Sequence, residues 1–424
     1  MNFIWLFVMF FALMALGIPV AIALLCSSAI YMWIFDMSFM GAMTQSIFAP
    51  MSATLLSMGF FIFAGNLMNN GGVTNKIFDF SKKLVCWLPG GLGHANIIAS
   101  LIFAGMSGTA LGDAGGLGKI ELEAMRNEGY DDDFSLAVTG ASSVLGPIIP
   151  PSVPMVMFAV MTGISTGKLF MAGVIPGLIS CIAMMVLVYL IAKKRGYPSE
   201  PLPPLKVWTA SFKNAFFALL TPVIMLYCIY TGVVTPSESA VVAGVYAIIL
   251  GLLSRDLKIK DIPNMVKETV ELMTSVLFIV LATKFFGYIL TIEQVPKRIA
   301  DLLLQNISSP LIAMVLMAIL LIICGCVMDN NATIMIVTPV LFPAAVALGI
   351  DPVQFGLVFN FTLMIGVITP PVGMVLFVLK GMSDITFGKL CKAVTPFIIV
   401  LFVVDFLLIL FPGLSTWLPS IIYN

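Results

Sequence analysis

Twelve long apolar runs recur along this chain, near residues 3–34, 52–68, 92–106, 134–161, 169–192, 214–230, 237–253, 272–292, 310–327, 332–348, 355–379 and 394–411. In hydrocarbon every backbone N–H and C=O must be satisfied within the protein, so such runs fold as helices; runs this long exclude a barrel, whose strands alternate every second residue. Charged residues are only 10% of the chain, against about 25% in soluble domains. The reading is an all-α polytopic membrane protein with about 10–12 membrane segments. Twenty-one basic and 21 acidic residues leave no net field to attract nucleic acid.

Several runs are not simple rods. The first is longer than the ~30 Å hydrocarbon core requires and contains Gly17-Ile18-Pro19, which predicts a break. The N-terminus lacks the positive region of a secretory signal, so it is expected to stay in the mature chain. Lys193, Lys194, Arg195, Lys206 and Lys213 flank one connection, and Arg255, Lys258, Lys260 and Lys267 fill another, which makes both cytoplasmic by the positive-inside rule. The seven cysteines sit mostly in apolar runs and read as small packing residues, without a disulfide framework. One histidine and the Cys324-Gly325-Cys326 pair give no zinc or haem ligand set.

The two halves resemble each other. Gly129-Tyr130-Asp131 returns as Gly349-Ile350-Asp351 at an offset of 220, and Gly146 with Pro150-Pro151 returns as Gly366 with Pro370-Pro371 at the same offset. Gly167-Lys168-Leu169 before Pro176 returns as Gly388-Lys389-Leu390 before Pro396. A constant register across several elements marks an internal repeat. The division is residues 1–200 for the first repeat, with a polar tip near 105–116, a cytoplasmic linker at 201–213, and residues 214–424 for the second repeat, with a tip near 328–333. Repeats in polytopic proteins characterise secondary transporters, whose sites form where interrupted helices meet near the midplane.

Chemistry concentrates at those interruptions. Gly146 to Ser152 and Gly366 to Val372 cannot be continuous helix, because each proline removes a donor and clashes with the preceding turn. The carbonyls so freed suit a hard cation such as Na⁺. Ser107, Thr109, Asp329, Asn330 and Asn331 add side-chain oxygens from the tips, and a tip that opens a half-helix offers N–H groups to a carboxylate. Two charges lie inside apolar runs, Lys284 and Asp405, and such charges are costly enough to require a partner or a function. Glu238, in Thr235–Ser239, reads as a turn cap. An intramembrane aspartyl protease is the rival class, but Leu111-Gly112-Asp113 follows Ala110 where that pattern has glycine, and it precedes Tyr130-Asp131 in the wrong order. The sequence contains no Walker A motif that would support an ATP-driven pump.

From Pro19 almost to Pro419 the chain resembles the large membrane subunit of TRAP (tripartite ATP-independent periplasmic) transporters. The resemblance rests on Phe103–Gly118 with its Ser107-Gly108-Thr109…Asp113 tip, Gly129-Tyr130-Asp131, Ile149-Pro150-Pro151-Ser152, Leu169–Gly177, Thr235-Pro236-Ser237-Glu238, Gly349-Ile350-Asp351-Pro352 and Thr369-Pro370-Pro371-Val372-Gly373. It implies an inverted-repeat, elevator-type importer of a small organic acid, of the C4-dicarboxylate or sialic acid type, coupled to two or more Na⁺ in the bacterial inner membrane. It also implies a separate small four-helix membrane subunit and a periplasmic substrate-binding protein. The implied first Na⁺ site is Ser107 with Gly146, Ile149 and Pro151; the second is Asp329 with Gly366, Thr369 and Pro371. Substrate contacts are expected from Thr109, Ser152, Asn330, Asn331 and Thr333, and the roles of Asp113, Lys284 and Asp405 stay open. The alternatives are a proton-coupled carboxylate transporter working alone and, more distantly, an intramembrane enzyme.

Overall fold

The computed structural model describes residues 3–51, 53–230, 235–295, 297–298, 301, 309–328 and 330–423. Among them regular structure is entirely helical. The expected break in the first run is present: α1 (Phe3–Ala15) and α2 (Val20–Ile34) are separated by Gly17, whose φ of +81° a side chain would strain. α3 (Phe39–Phe48), α4 (Ala53–Asn70) and α5 (Val73–Val85) follow. α5 was not anticipated, since its Lys76, Lys82 and Lys83 interrupt apolar character.

The interrupted part of the first repeat then opens with α6 (Gly91–Ser107), turns at Gly108, and returns through α7 (Ala110–Gly115) and α8 (Leu117–Asn127). α9 (Asp132–Ser142) stops before the prolines, and α10 (Val153–Thr162) restarts beyond them. α11 (Thr166–Arg195) is the long helix that closes the repeat. Gly173 lets α11 approach the broken stretch, because a Cβ there would lie 2.1 Å from the Ile148 carbonyl oxygen.

Three helices lie between the two interrupted stretches, α12 (Leu205–Tyr230), α13 (Pro236–Leu253) and α14 (Ile262–Ile292), and α12 takes in residues 205–213 of the expected linker. α13 begins with the cap read from the sequence, Glu238 accepting from the Thr235 N–H at 2.7 Å and Thr235 Oγ1 accepting from the Glu238 N–H at 3.3 Å. The interrupted part of the second repeat follows the order of the first: α15 (Pro310–Val327), a tip, α16 (Asn330–Ala347), α17 (Pro352–Val367), the proline break, α18 (Met374–Lys380) and α19 (Phe387–Leu410), with α20 (Gly413–Ile422) at the end. The loops before α9 and α17 are built alike, with Gly129 and Gly349 at φ +80° and +79°. Both Pro150-Pro151 and Pro370-Pro371 are cis.

Packing between the repeats is reciprocal. α9 packs on α19 and α17 packs on α11; α10 packs on α16 and α18 packs on α7. Each contact has a counterpart with the repeats exchanged, which is what a pseudo-two-fold relation requires. Beside this pair, α14 packs on α2, α3 and α4, and α13 on α4, and this group meets the pair where α14 packs on α16 and α4 on α6 and α10. By length and composition five helices can each cross a membrane, among them α11, α14 and α19; shorter apolar helices such as α6, α10 and α17 make up the rest of the apolar runs.

Candidate functional site

The two tips meet at one cavity. It has a volume of about 410 Å³ and is lined by Ser107, Thr109, Asn330 and Asn331 from the tips, Pro147, Val153 and Pro154 from the first break, and Asn66, Asn69, Leu272 and Val276 from α4 and α14. No charged side chain is in its lining among the described residues. Sequence reasoning had not singled out Asn66 and Asn69. Their one local signal is polar residues at i and i+3 in the last turns of an apolar run, and their placement depends on α14, where Asn66 Nδ2 donates to Thr269 Oγ1 at 3.2 Å.

At the first tip, Ser107 is the last residue of α6 and is buried, and its hydroxyl has no hydrogen-bond partner among the described residues. Gly108 turns the chain at φ +62° and lies against the break: a Cβ there would meet the Pro151 carbonyl oxygen at 2.6 Å, and one at Gly146 would meet the Thr109 oxygen at 3.0 Å. The Val153 N–H donates to the Gly108 oxygen at 3.2 Å and fixes tip to break. Within the described residues, no backbone hydrogen bond ends on the carbonyl oxygens of Gly146, Ile149 or Pro151. An unpartnered buried hydroxyl beside free carbonyls is a donor set that fits a hard cation.

The second tip repeats the tie between tip and break, with the Gly373 N–H donating to the Cys326 oxygen at 3.1 Å. α15 and α17 cross glycine to glycine, since a Cβ on Gly366 would lie 2.8 Å from the Gly325 Cα. The Gly366 oxygen accepts from the Thr369 N–H at 2.9 Å, and Thr369 Oγ1 donates to the Ile365 oxygen at 2.6 Å. The Gly366 oxygen also accepts from the Ile368 N–H, so of this set it is Thr369 Oγ1 that keeps lone pairs for a further contact. Pro371 lies in the same break, and Asp329 lies outside the described residues.

The expected substrate residues divide. Asn330 and Asn331 line the cavity, with Asn330 Nδ2 donating to Met364 Sδ at 3.4 Å and its Oδ1 without a hydrogen-bond partner among the described residues. Thr109 lines it too, but Oγ1 also caps α7 by accepting from the Gly112 N–H at 3.2 Å. Ser152 does not line the cavity. It is buried as the cap of α10, donating to the Pro147 oxygen and accepting from the Met155 N–H at 3.2 Å, so its hydroxyl serves the backbone that the prolines disrupt. Thr333 is fully buried and likewise outside the lining.

The three open residues separate as well. Asp405 is buried on α19 and accepts from Thr362 Oγ1 at 2.8 Å, which ties α19 to α17 away from the tips. Asp113 is buried behind the first tip with Glu121, beside a chain of bonds in which Thr139 Oγ1 donates to Glu121 Oε2 at 3.5 Å, Asn96 Nδ2 to Thr139 Oγ1 at 2.8 Å and Ser142 Oγ to Asn96 Oδ1 at 2.8 Å. Lys284 lines a different cavity. Its ammonium is thus set apart from the lining that the tips form.

Two interrupted-helix repeats closing on a shared cavity define an all-helical, multi-pass membrane transporter fold. Solved structures agree at the level of fold: the YdaH transporter of Alcanivorax borkumensis superposes with a TM-score of 0.65 at 13% identity, covering 91% of this chain and 89% of that one, and Neisseria gonorrhoeae MtrF with a TM-score of 0.55 at 12% identity, covering 87% and 83%. The chain belongs to the family described as tripartite ATP-independent periplasmic transporter, DctM component, which it matches over residues 7–414. It is 44% identical over 369 residues to the sialic acid TRAP transporter large permease protein SiaM of Vibrio cholerae, covering 87% of this chain and 86% of that protein. It is 39% identical over 421 residues to the sialic acid TRAP transporter permease protein SiaT of Haemophilus influenzae, covering 99% and 68%. The C4-dicarboxylate TRAP transporter large permease protein DctM of Pseudomonas aeruginosa is 35% identical over 395 residues, covering 90% and 92%.

Proposed function

We propose that this permease imports a small organic anion, sialic acid or a C4-dicarboxylate, across the bacterial inner membrane together with Na⁺. The observation that carries this reading is the convergence of two repeat-related tips on one cavity whose described lining holds no charged side chain, with the Ser107 hydroxyl, unpartnered among the described residues, and the free carbonyls of the first break beside it. An anion in such a site needs a cation in its company, because the described lining supplies none. Na⁺ would be held by Ser107, Gly146, Ile149 and Pro151, and a second ion by Gly366, Thr369, Pro371 and Asp329. The Asn330 and Asn331 amides and the N-terminus of α16 would orient the carboxylate.

The repeat pair would move against the group of α4 and α14 and carry the cavity across, with equivalent elements of the repeats inverted in the membrane. The sialic acid and C4-dicarboxylate relatives support both the choice of cargo and the expected partners, a small four-helix membrane subunit and a soluble periplasmic receptor. This is transport without chemical conversion. Proton coupling is the second reading, favoured by Asp113 and Glu121, two buried carboxylates with no basic partner among the described residues.

Reconstitution with the small subunit tests these readings. Accumulation of labelled N-acetylneuraminate or succinate that requires a receptor and an inward Na⁺ gradient is the expected result. Uptake driven by a proton gradient alone would overturn Na⁺ coupling, and turnover without accumulation would overturn transport.

A further inference from the structure

Lys284 lines a second cavity, of about 330 Å³, and the register of its walls ties it to the first. On α14, Leu272 and Val276 line the tip cavity while Val280 and Lys284 line the second, four residues in steps of four on one face of the helix. On α10, Val153 and Pro154 face the first and Val160 and Met161, each seven residues on, face the second. The same holds for Asn331 and then Met335 on α16, and for Ile62 and then Leu55 on α4. Four helices therefore wall both cavities, which lie end to end along one seam between the repeats and α4 with α14. From Val276 to Lys284 the seam advances about 12 Å, at 1.5 Å per residue.

The side is fixed by an ion pair. Lys76 Nζ lies 2.7 Å from Asp256 Oδ2, which places the end of α4 and the start of α5 beside the basic connection that carries Arg255, Lys258 and Lys260. Asn66 and Asn69 are near that end of α4, and Leu55 is at the other. With the basic connection cytoplasmic, the Lys284 cavity lies on the extracytoplasmic side of the tip cavity. Among the described residues Lys284 is the single charged side chain in either lining, and no hydrogen bond or ion pair to it is formed. An ammonium inside an apolar span costs ~3 kcal/mol on insertion scales unless a contact compensates it.

We propose that Lys284 forms a staging site for the carboxylate of the transported anion, one step along the seam on the extracytoplasmic side of the tip cavity. The site rests on the anion-importer reading above. A cation there draws an anion out of the aqueous mouth, and its separation from the tips lets the anion leave it for the Na⁺-loaded site. Gln45, in the same lining, supplies an amide that can bond the bound carboxylate.

Two measurements test this in the complex with the small subunit. Met161→Cys places a thiol in the cavity, and its labelling over the unsubstituted protein is compared for an anionic and a cationic methanethiosulfonate reagent. The anionic-to-cationic rate ratio should fall about tenfold on adding Lys284→Gln and return with Lys284→Arg; an unchanged ratio would overturn the site. In receptor-dependent uptake of N-acetylneuraminate or succinate, Lys284→Gln should raise KM about tenfold with kcat and Na⁺ half-saturation unchanged, whereas an unchanged KM would overturn it. Accumulation of neither anion by the parent protein refutes the importer reading instead, and with it the assignment of what Lys284 holds.

Discussion

Ser107→Ala separates a ligand role from a structural one, because the two predict opposite effects. The hydroxyl is buried at the end of α6 and makes no hydrogen bond among the described residues, so removing it breaks none. Leaving a buried polar atom unsatisfied costs about 1–3 kcal/mol, so without Na⁺ the variant should be as stable as the parent or slightly more so. With Na⁺ the balance reverses. An oxygen contact to a full charge is worth about 1.5–3 kcal/mol, which weakens Na⁺ binding by roughly 10- to 150-fold. At a Na⁺ concentration ten times the parent dissociation constant, binding stabilises the parent by about 1.4 kcal/mol, and a hundredfold weaker site leaves less than ~0.1 kcal/mol. Thermal unfolding of the purified complex in Na⁺ and in choline measures the difference directly, and uptake against Na⁺ concentration measures it in function. An unchanged Na⁺-dependent shift in melting, or destabilisation in choline, would refute the reasoning.

Cysteines introduced by Asp132→Cys and Pro352→Cys in a cysteine-free background should be labelled by an impermeant thiol reagent from opposite sides of oriented vesicles; labelling of both from one side would contradict the inversion. Asp405→Asn keeps an acceptor for Thr362 Oγ1 and should leave KM and Na⁺ half-saturation unchanged, whereas Asp405→Ala strands the Thr362 hydroxyl and should lower melting by the equivalent of about 1–3 kcal/mol; a KM change in Asp405→Asn would move Asp405 into the transport path. The hydrogen bond from Lys76 holds the Asp256 carboxyl below its usual range. A depressed carboxylate contributes stability above its unfolded value near 4, lost as pH falls through the folded value. Lys76→Ala should therefore lower melting slightly at neutral pH and low salt, by under about 1 kcal/mol for so exposed a pair, and the difference should vanish below pH ~3; a difference that persisted there would assign Lys76 another role.

How much of this was legible beforehand follows from the range over which each feature is decided. The apolar runs, the break at Gly17-Ile18-Pro19, the two proline breaks and the capping box at Thr235 and Glu238 are local: a missing N–H or a nearby side chain settles the backbone within a few residues. The repeat was legible because equal loops and equal breaks constrain the same residue types at a constant offset, and Gly129 and Gly349 do turn at nearly the same positive φ. Family membership followed from the same motifs. What the sequence could not say is which polar groups face a shared space. Ser152 and Thr109 look alike as hydroxyls beside an interruption, yet one caps a helix in the interior while the other caps and also lines the cavity. Asn66 meets Thr269 across 203 residues, and the seam that leads to Lys284 exists because α4, α10, α14 and α16 turn one face each toward a common line. Helix rotation and the contact of distant segments are set by the packing of the whole bundle, so only the tertiary structure could decide them.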